Sequence, residues 1–120
     1  MIRKHSELKI DQLTDFRGGK GPLIMEHFMD QAMAMGAGRL FVRSVVPPGS
    51  SIGLHKHEGD SELYYILSGK ALANDNGTLV EIGPGDTQFC PDGSSHGIEN
   101  IGTEDLIYIA IILFTEQKKP

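Results

Sequence analysis

Three histidines and one glutamate have the residue types and the spacing that a metal site requires. His55 and His57 are two residues apart in a segment typical of a β-strand, so both side chains leave the same face and can reach one point. Glu62 follows a glycine-containing bend, and His96 ends a proline-containing turn. Three neutral imidazoles and a carboxylate suit Mn, Fe, Co, Ni, Cu or Zn and leave coordination positions open for water or a substrate.

Other interpretations of the same residue types have to be weighed against this one. A His-x-His pair alone is also typical of a solvated polar strand face. His5 and His27 stand outside the pattern, and we expect His5 at a solvated terminus and His27 on the surface or at an interface. Cys90 precedes a proline, where it can be a thiol nucleophile or a fifth ligand, but a small buried hydrophobe is the simpler interpretation.

The elements that must position these side chains are short strands. Beyond residue 38 the chain alternates apolar runs with turn signals at intervals of about 8 to 12 residues, which indicates a sandwich or a barrel. Asn76-Gly77 suits a two-residue hairpin turn, and 106–114 is apolar enough to be buried on both faces. The predicted strands are 40–46, 51–57, 62–67, 70–73, 78–82, 87–90, 96–101 and 106–114.

The first 38 residues form an N-terminal extension. Residues 24–29 predict an edge strand that covers a sheet edge, either of its own barrel or, by exchange, of a second subunit. An apolar outer sheet face and this edge strand together predict a homodimer. Four methionines lie here with a spacing close to one face of a helix, which favours packing over thioether copper binding. They are Met25, Met29, Met33 and Met35.

Length and composition restrict the function further. The 120 residues are enough for one domain, which we place at 39–115, followed by a polar tail at 116–120. Lysine and arginine number 11 against 16 acidic residues, and the resulting charge of -5 without a basic run argues against nucleic acid. We find no apolar segment long enough for a signal peptide or a membrane span, and the one cysteine cannot form an internal disulfide. We therefore expect a cytoplasmic protein with no membrane partner.

Two blocks of residues resemble the paired motifs of the cupin superfamily. The first contains Gly49, His55, His57, Glu62 and Gly69, and the second contains Gly85, Pro91, Gly93, His96 and Asn100. The chain is similar to small single-domain bacterial cupins of the oxalate-decarboxylase-like group. This resemblance implies an all-β, single-domain jelly-roll barrel, also called a double-stranded β-helix or RmlC-like fold. It also implies a divalent transition metal inside the barrel, bound by His55, His57, Glu62 and His96.

The resemblance leaves several functions open, since cupins include dioxygenases, decarboxylases, isomerases and non-enzymatic sensors. We expect a metal-dependent enzyme, an oxidoreductase or a lyase, acting on a small carboxylate or carbonyl compound. The alternative is a non-catalytic module that binds or senses a small ligand at the same metal. A third interpretation is a structural protein whose ion stabilises the barrel.

Neighbouring side chains are candidates for the chemistry and the pocket. If Glu62 points inward, Tyr64 and Ile66 share its face, and Tyr64 is either a hydrogen-bond donor or general acid, or a core aromatic residue. Arg43 either pairs with an anionic substrate or lies on a solvated or intersubunit face. Gln88 and Phe89 alternate, so one of them should line the pocket. We expect Asn100 to have a structural role.

Overall fold

The computed structural model describes residues 1–115, so the tail predicted at 116–120 lies outside the described residues. None of the helical segments in the described range is long and apolar enough to cross a membrane, and the cytoplasmic location stays a prediction. Short 3₁₀ turns occupy His5–Glu7 and Phe16–Gly18. The strands are β1 (Lys9–Thr14), β2 (Pro22–Met29), β3 (Gly38–Val46), β4 (Ser51–Lys56), β5 (Asp60–Ser68), β6 (Ala71–Asp75), β7 (Thr78–Ile82), β8 (Thr87–Cys90), β9 (Ser95–Asn100) and β10 (Leu106–Phe114).

The strands form two antiparallel sheets. One has six strands in the order β1-β2-β3-β10-β5-β8, and the other has four in the order β4-β9-β6-β7. Apolar side chains from the two inner faces meet in one core. These are Leu23, Met25, Val42, Val46, Ile52, Tyr64, Ile66, Ala71, Ile98, Leu106, Tyr108 and Ala110. The all-β jelly-roll prediction is confirmed.

Strand β1 was not predicted, because its side chains alternate only between exposed and half-buried and it therefore lacks an apolar face. It pairs antiparallel with β2, with Lys9 opposite His27, and β2 in turn pairs with β3 of the same chain. The imidazole Nε2 of His27 lies 2.9 Å from Asp11 Oδ2 on β1. The strand predicted at 24–29 is therefore not the edge of the sheet, because β1 covers it. An exchange of the N-terminal extension between subunits stays a prediction.

The interpretation of the four methionines as one helix face is wrong. Met25 and Met29 lie on β2, and Met33 and Met35 lie in the turns that connect β2 to β3. Met25 is 5% exposed and packs in the core, whereas Met35 is 91% exposed. The spacing misleads because it continues across the end of a strand into a turn.

Strand β10 is the centre of the six-stranded sheet, between β3 and β5. The expectation that both of its faces are buried is wrong, because only the inner face is covered by the second sheet. Inner residues such as Tyr108 are fully buried, while outer residues such as Ile109 are half-buried and Leu113 is 46% exposed. The Asn76-Gly77 hairpin is confirmed, since both residues have positive φ and Asp75 pairs with Thr78.

Candidate metal centre

The three histidines and the glutamate meet between the two sheets. His55 on β4 is the cross-strand partner of His96 on β9, His57 directly follows β4, and Glu62 lies on β5 of the opposite sheet. Their four ligand atoms all lie within 4.8 Å of one another. The Oε1 atom of Glu62 is 2.8 Å from His96 Nε2 and 3.0 Å from His57 Nε2. The ligand set predicted from the sequence is thus assembled at one point.

The hydrogen bonds of the outer ring nitrogens orient two imidazoles for metal binding. His55 Nδ1 lies 2.8 Å from the carbonyl oxygen of Gly53, which can only accept, so Nδ1 donates and Nε2 keeps its lone pair. His57 Nδ1 donates to Asp60 in the same way, at 2.7 Å. Lone pairs and a carboxylate oxygen that face each other at 2.8 to 3.1 Å repel unless a cation or a proton lies between them. This donor set fits a divalent transition metal.

Electrostatics favour the metal-binding protonation states of Glu62 and His96 and oppose that of His57. Burial alone would raise the pKa of Glu62, but its interactions with the three imidazoles outweigh burial and lower the pKa of this carboxyl. The hydrogen bond to Glu62 raises the pKa of His57 above 6.5, against the effect of burial. Burial lowers the pKa of His96. Glu62 is therefore anionic at neutral pH and His96 is neutral, as metal ligands must be.

A second layer of polar residues supports His57. Asp60 is 5% exposed and uses one carboxylate oxygen for His57 Nδ1 and the other for Arg39 Nε, at 2.9 Å. This chain from Arg39 through Asp60 fixes the ring orientation and the tautomer of His57. The sequence analysis missed both residues. The sequence feature that could have indicated Asp60 is its position between two predicted ligands, His57 and Glu62.

The N-terminal segment closes one side of the barrel through a close backbone approach. A Cβ atom on Gly53 would lie 2.2 Å from the carbonyl oxygen of Arg17, and one on Gly19 would lie 2.2 Å from that of Ser51. Only glycine fits at these two positions. Arg17 adopts a left-handed backbone with φ of 56° and stacks its guanidinium over the Phe16 ring, 5.5 Å from the centroid. Residues 16–17 thereby become part of the cavity wall.

A cavity of about 50 Å³ adjoins the metal ligands. His55, His57 and Glu62 line it on one side. The apolar part of the wall consists of Phe16, Met25, Leu40, Ile52, Ala110 and Ile112. The polar part consists of Arg17, Arg39, Ser44, Tyr64 and Tyr108. The cavity therefore combines a small volume with cationic and hydroxyl groups close to the metal ligands.

Comparisons with known proteins agree with this geometry. Residues 42–112 match the cupin domain family. This chain is a cupin. It is 45% identical over 113 residues to an oxalate-binding protein of Thermotoga maritima. The aligned region covers 94% of this chain and 93% of that protein.

Solved structures give the same picture. A predicted oxalate decarboxylase of Thermotoga maritima has a TM-score of 0.91 and 45% identity, covering 95% of this cupin and 99% of that chain. An RmlC-like cupin of Shewanella frigidimarina has a TM-score of 0.68, covering 96% and 91% of the two chains. At 18% identity the second similarity shows the fold alone.

The structure places the other predicted site residues of this cupin at different distances from the cavity. Tyr64 lines it, with its ring stacked on His96 at 4.8 Å, and burial raises the pKa of its phenol well above 10. Ile66 is in the core and Gln88 is buried, donating from Nε2 to the carbonyl of Asn74, and neither lines the cavity. Phe89 is 57% exposed.

Arg43 and Cys90 also lie away from the cavity wall. The guanidinium of Arg43 donates to Glu26 at 3.1 Å and is 40% exposed, and its catalytic role stays a prediction. Cys90 is 1% exposed, and burial raises the pKa of its thiol to about 11. A buried thiol of this kind is mostly protonated at neutral pH, which agrees with its interpretation as a small hydrophobe.

Proposed function

We propose that this cupin binds a small dicarboxylate at a metal held by His55, His57, Glu62 and His96, and that oxalate is the first ligand to test. The observation that carries the proposal is the small cavity, which puts two arginines and the metal ligands around one space. Anionic carboxylates bind both to transition metals and to arginine.

The charge of the site favours a dianion. A divalent ion, Arg17 and Arg39 contribute four positive charges, and Glu62 and Asp60 contribute two negative ones. The surplus of two positive charges matches a ligand that carries two negative charges. The metal ligands and Asp60 are largely buried, whereas Arg17 and Arg39 are exposed, so solvent screens the part of this surplus that the arginines contribute.

The size of the site favours a small ligand. A water molecule needs roughly 10–15 Å³ of such volume, so about 50 Å³ has room for only about three to five water-sized positions. An anion of oxalate size suits this space, whereas a sugar or an aromatic acid exceeds it. The relative in Thermotoga maritima that is named an oxalate-binding protein supports the same ligand.

Isothermal titration of the metal-loaded protein with oxalate tests this function. We expect oxalate to bind about tenfold or more tightly than acetate, because a second carboxylate adds charge-assisted hydrogen bonds. Removal of the metal with a chelator should abolish the binding. Equal binding of oxalate to the metal-free protein, or no binding to the loaded one, would contradict the proposal.

A second candidate function is an enzymatic reaction of the same ligand, of the lyase or oxidoreductase type. The phenol of Tyr64 favours it, because this group lines the cavity next to His96. In a decarboxylation the C–C bond breaks, carbon dioxide leaves, and the remaining carbon takes up a proton to give formate. The bound metal would polarise the carboxylate, and Tyr64 would supply the proton.

Binding ranks before this reaction because the cavity has few groups that exchange protons at neutral pH. Among the described residues that line it, Glu62 is the one carboxylate, and it belongs to the metal site. Assays of carbon dioxide release and oxygen uptake distinguish the two functions. Binding without either supports the binding module. If either reaction is detected, the variants Tyr64→Phe and Arg43→Met test the catalytic roles predicted for these residues.

We also propose a homodimer that buries the outer face of the six-stranded sheet. Apolar side chains from neighbouring strands are exposed there, and Leu63 is the register partner of both Phe89 and Ile111. The exposed ones are Leu63, Tyr65, Leu67, Phe89 and Leu113. Exposed apolar side chains that share one sheet face are typical of a protein interface.

Light scattering of the purified protein measures this assembly. We expect the mass of two chains, and we expect Leu63→Lys to give the mass of one chain because it places a charge in the apolar face. A single-chain mass for the unmodified protein would contradict the dimer.

A further inference from the structure

Two hydroxyl groups in the cavity wall lie close to each other, and one of them also lies close to the hydroxyl of Tyr64, but neither has a partner with full hydrogen-bond geometry. Ser44 on β3 and Tyr108 on β10 are register partners in the six-stranded sheet, and both are 0% exposed. Neither Ser44 Oγ nor Tyr108 Oη has a partner with hydrogen-bond geometry in the part of the chain that the structure describes. Both residues line the cavity that contains His55, His57 and Glu62. The two unpaired hydroxyls therefore share one enclosed space with the metal ligands.

Packing does not account for these hydroxyls. The neighbouring inward positions on the same two strands are Val42, Val46, Leu106 and Ala110, which are all apolar and buried. Alanine and phenylalanine would fill the positions of Ser44 and Tyr108 without burying a polar group. An unpaired buried hydroxyl costs free energy, and in folded proteins such groups usually have a partner that is a ligand, a water or an ion.

The chemistry of the pair suits carboxylate oxygens. Each hydroxyl can donate one hydrogen bond, and burial raises the pKa of Tyr108, so that its phenol stays protonated at neutral pH. Among the described residues that line the cavity, those on β3 and β10 include no carboxylate that could accept these hydrogen bonds. Because the cavity has a volume of only about 50 Å³, a ligand that binds the metal also comes close to the hydroxyls of Ser44 and Tyr108.

Building on the proposed function, we infer that Ser44 and Tyr108 form a hydroxyl subsite that donates hydrogen bonds to the carboxylate oxygens of the bound dicarboxylate. The subsite determines which small anions this cupin binds. The metal ligands hold one end of the ligand, the arginines balance its charge, and the two hydroxyls bind oxygens that the metal leaves free.

Titration of metal-loaded Ser44→Ala and Tyr108→Phe with oxalate tests the subsite. Each variant should bind oxalate about tenfold more weakly, as expected for the loss of one hydrogen bond to a charged group, with unchanged metal content. Each should also keep or raise the melting temperature of the ligand-free protein, because an unpaired buried hydroxyl is removed. A merely structural role predicts the opposite change in stability.

A matched control is Tyr65→Phe, which removes a phenol hydroxyl from the outer face of the sheet, where Tyr65 is 44% exposed. It should bind oxalate like the unmodified protein. If the unmodified protein binds oxalate and both cavity variants bind it equally well, the subsite is wrong and the hydroxyls hold only water. If the unmodified metal-loaded protein does not bind oxalate, the proposed function is wrong, and the subsite with it.

Discussion

Replacing His57 by alanine is expected to weaken metal binding at least about a hundredfold, so that the purified variant contains almost no transition metal. His57 Nε2 lies 3.0 Å from Glu62 Oε1 and 3.1 Å from His96 Nε2, so it is one corner of a closely spaced group of ligand atoms. Its removal leaves three ligands and takes away one of the two partners of the buried Asp60, which keeps its contact with Arg39. Elemental analysis and competition with a chelator measure the effect.

Two further variants are expected to lose less metal affinity than His57→Ala, or none. Asp60→Asn keeps all four ligands and removes the carboxylate that accepts from His57 Nδ1, so affinity should fall about tenfold to a hundredfold. His27→Ala is the matched control, because His27 pairs with Asp11 on the N-terminal strands, away from the ligand group. It should leave metal content unchanged. Full occupancy in His57→Ala would show that the metal binds elsewhere.

Replacing Asn100 by leucine is expected to lower the free energy of unfolding by about 3 kcal/mol and the melting temperature by about 10 °C. Asn100 is 2% exposed, and its amide donates to the carbonyls of Val46 and Glu104, each at 2.8 Å. Its Oδ1 atom accepts from the backbone N–H of Gly102. Leucine has a similar size but leaves these three backbone groups without their partner.

Thermal unfolding of the metal-free proteins measures this loss. Gln31→Leu is the control, because it replaces an amide by leucine at an exposed turn position. It should unfold at nearly the same temperature as the unmodified protein. Asn100 is not one of the metal ligands, so the Asn100 variant should still bind metal when folded. An unchanged melting temperature in Asn100→Leu would contradict the structural role assigned to this residue.

The metal ligands were predictable because the spacing of the two neighbouring histidines matches a strand and because the complete set matches the paired cupin motifs. His55 and His57 are separated by the strand period of two, and Glu62 and His96 begin new segments after glycine or proline turns. Strands β7, β8 and β10 have the predicted bounds because turn residues flank them directly. In contrast, β1 could not be recognised, because a mostly exposed edge strand leaves no apolar alternation.

The rest of the cavity could not be predicted, because the facing of its strands was ambiguous. On β3, apolar residues occupy both faces, with Val42 and Val46 inside and Val45 outside, so the sequence does not tell whether Arg43 or Ser44 points inward. On β10, Tyr108 stands in an apolar run with no polar neighbour to mark its face. Only the packing of the two sheets puts Ser44 and Tyr108 beside the metal ligands.

The contribution of the N-terminal segment to the cavity wall could not be predicted from the sequence for a different reason. Arg17 and Phe16 come to the cavity through a contact between two glycine-containing segments, Gly19 and Gly53, that are far apart in sequence. A glycine in a sequence indicates a turn or a close approach but does not identify the partner segment. Such long-range contacts depend on the completed fold.

The most direct test of the metal centre is crystallographic. Diffraction data are collected at the absorption edge of the metal that elemental analysis finds in the purified protein. We predict one anomalous peak per chain, about 2.0–2.3 Å from Nε2 of His55, His57 and His96 and from the carboxylate of Glu62. A peak at other residues, or no peak here after saturation with Mn²⁺, Co²⁺ or Ni²⁺, would contradict the assignment.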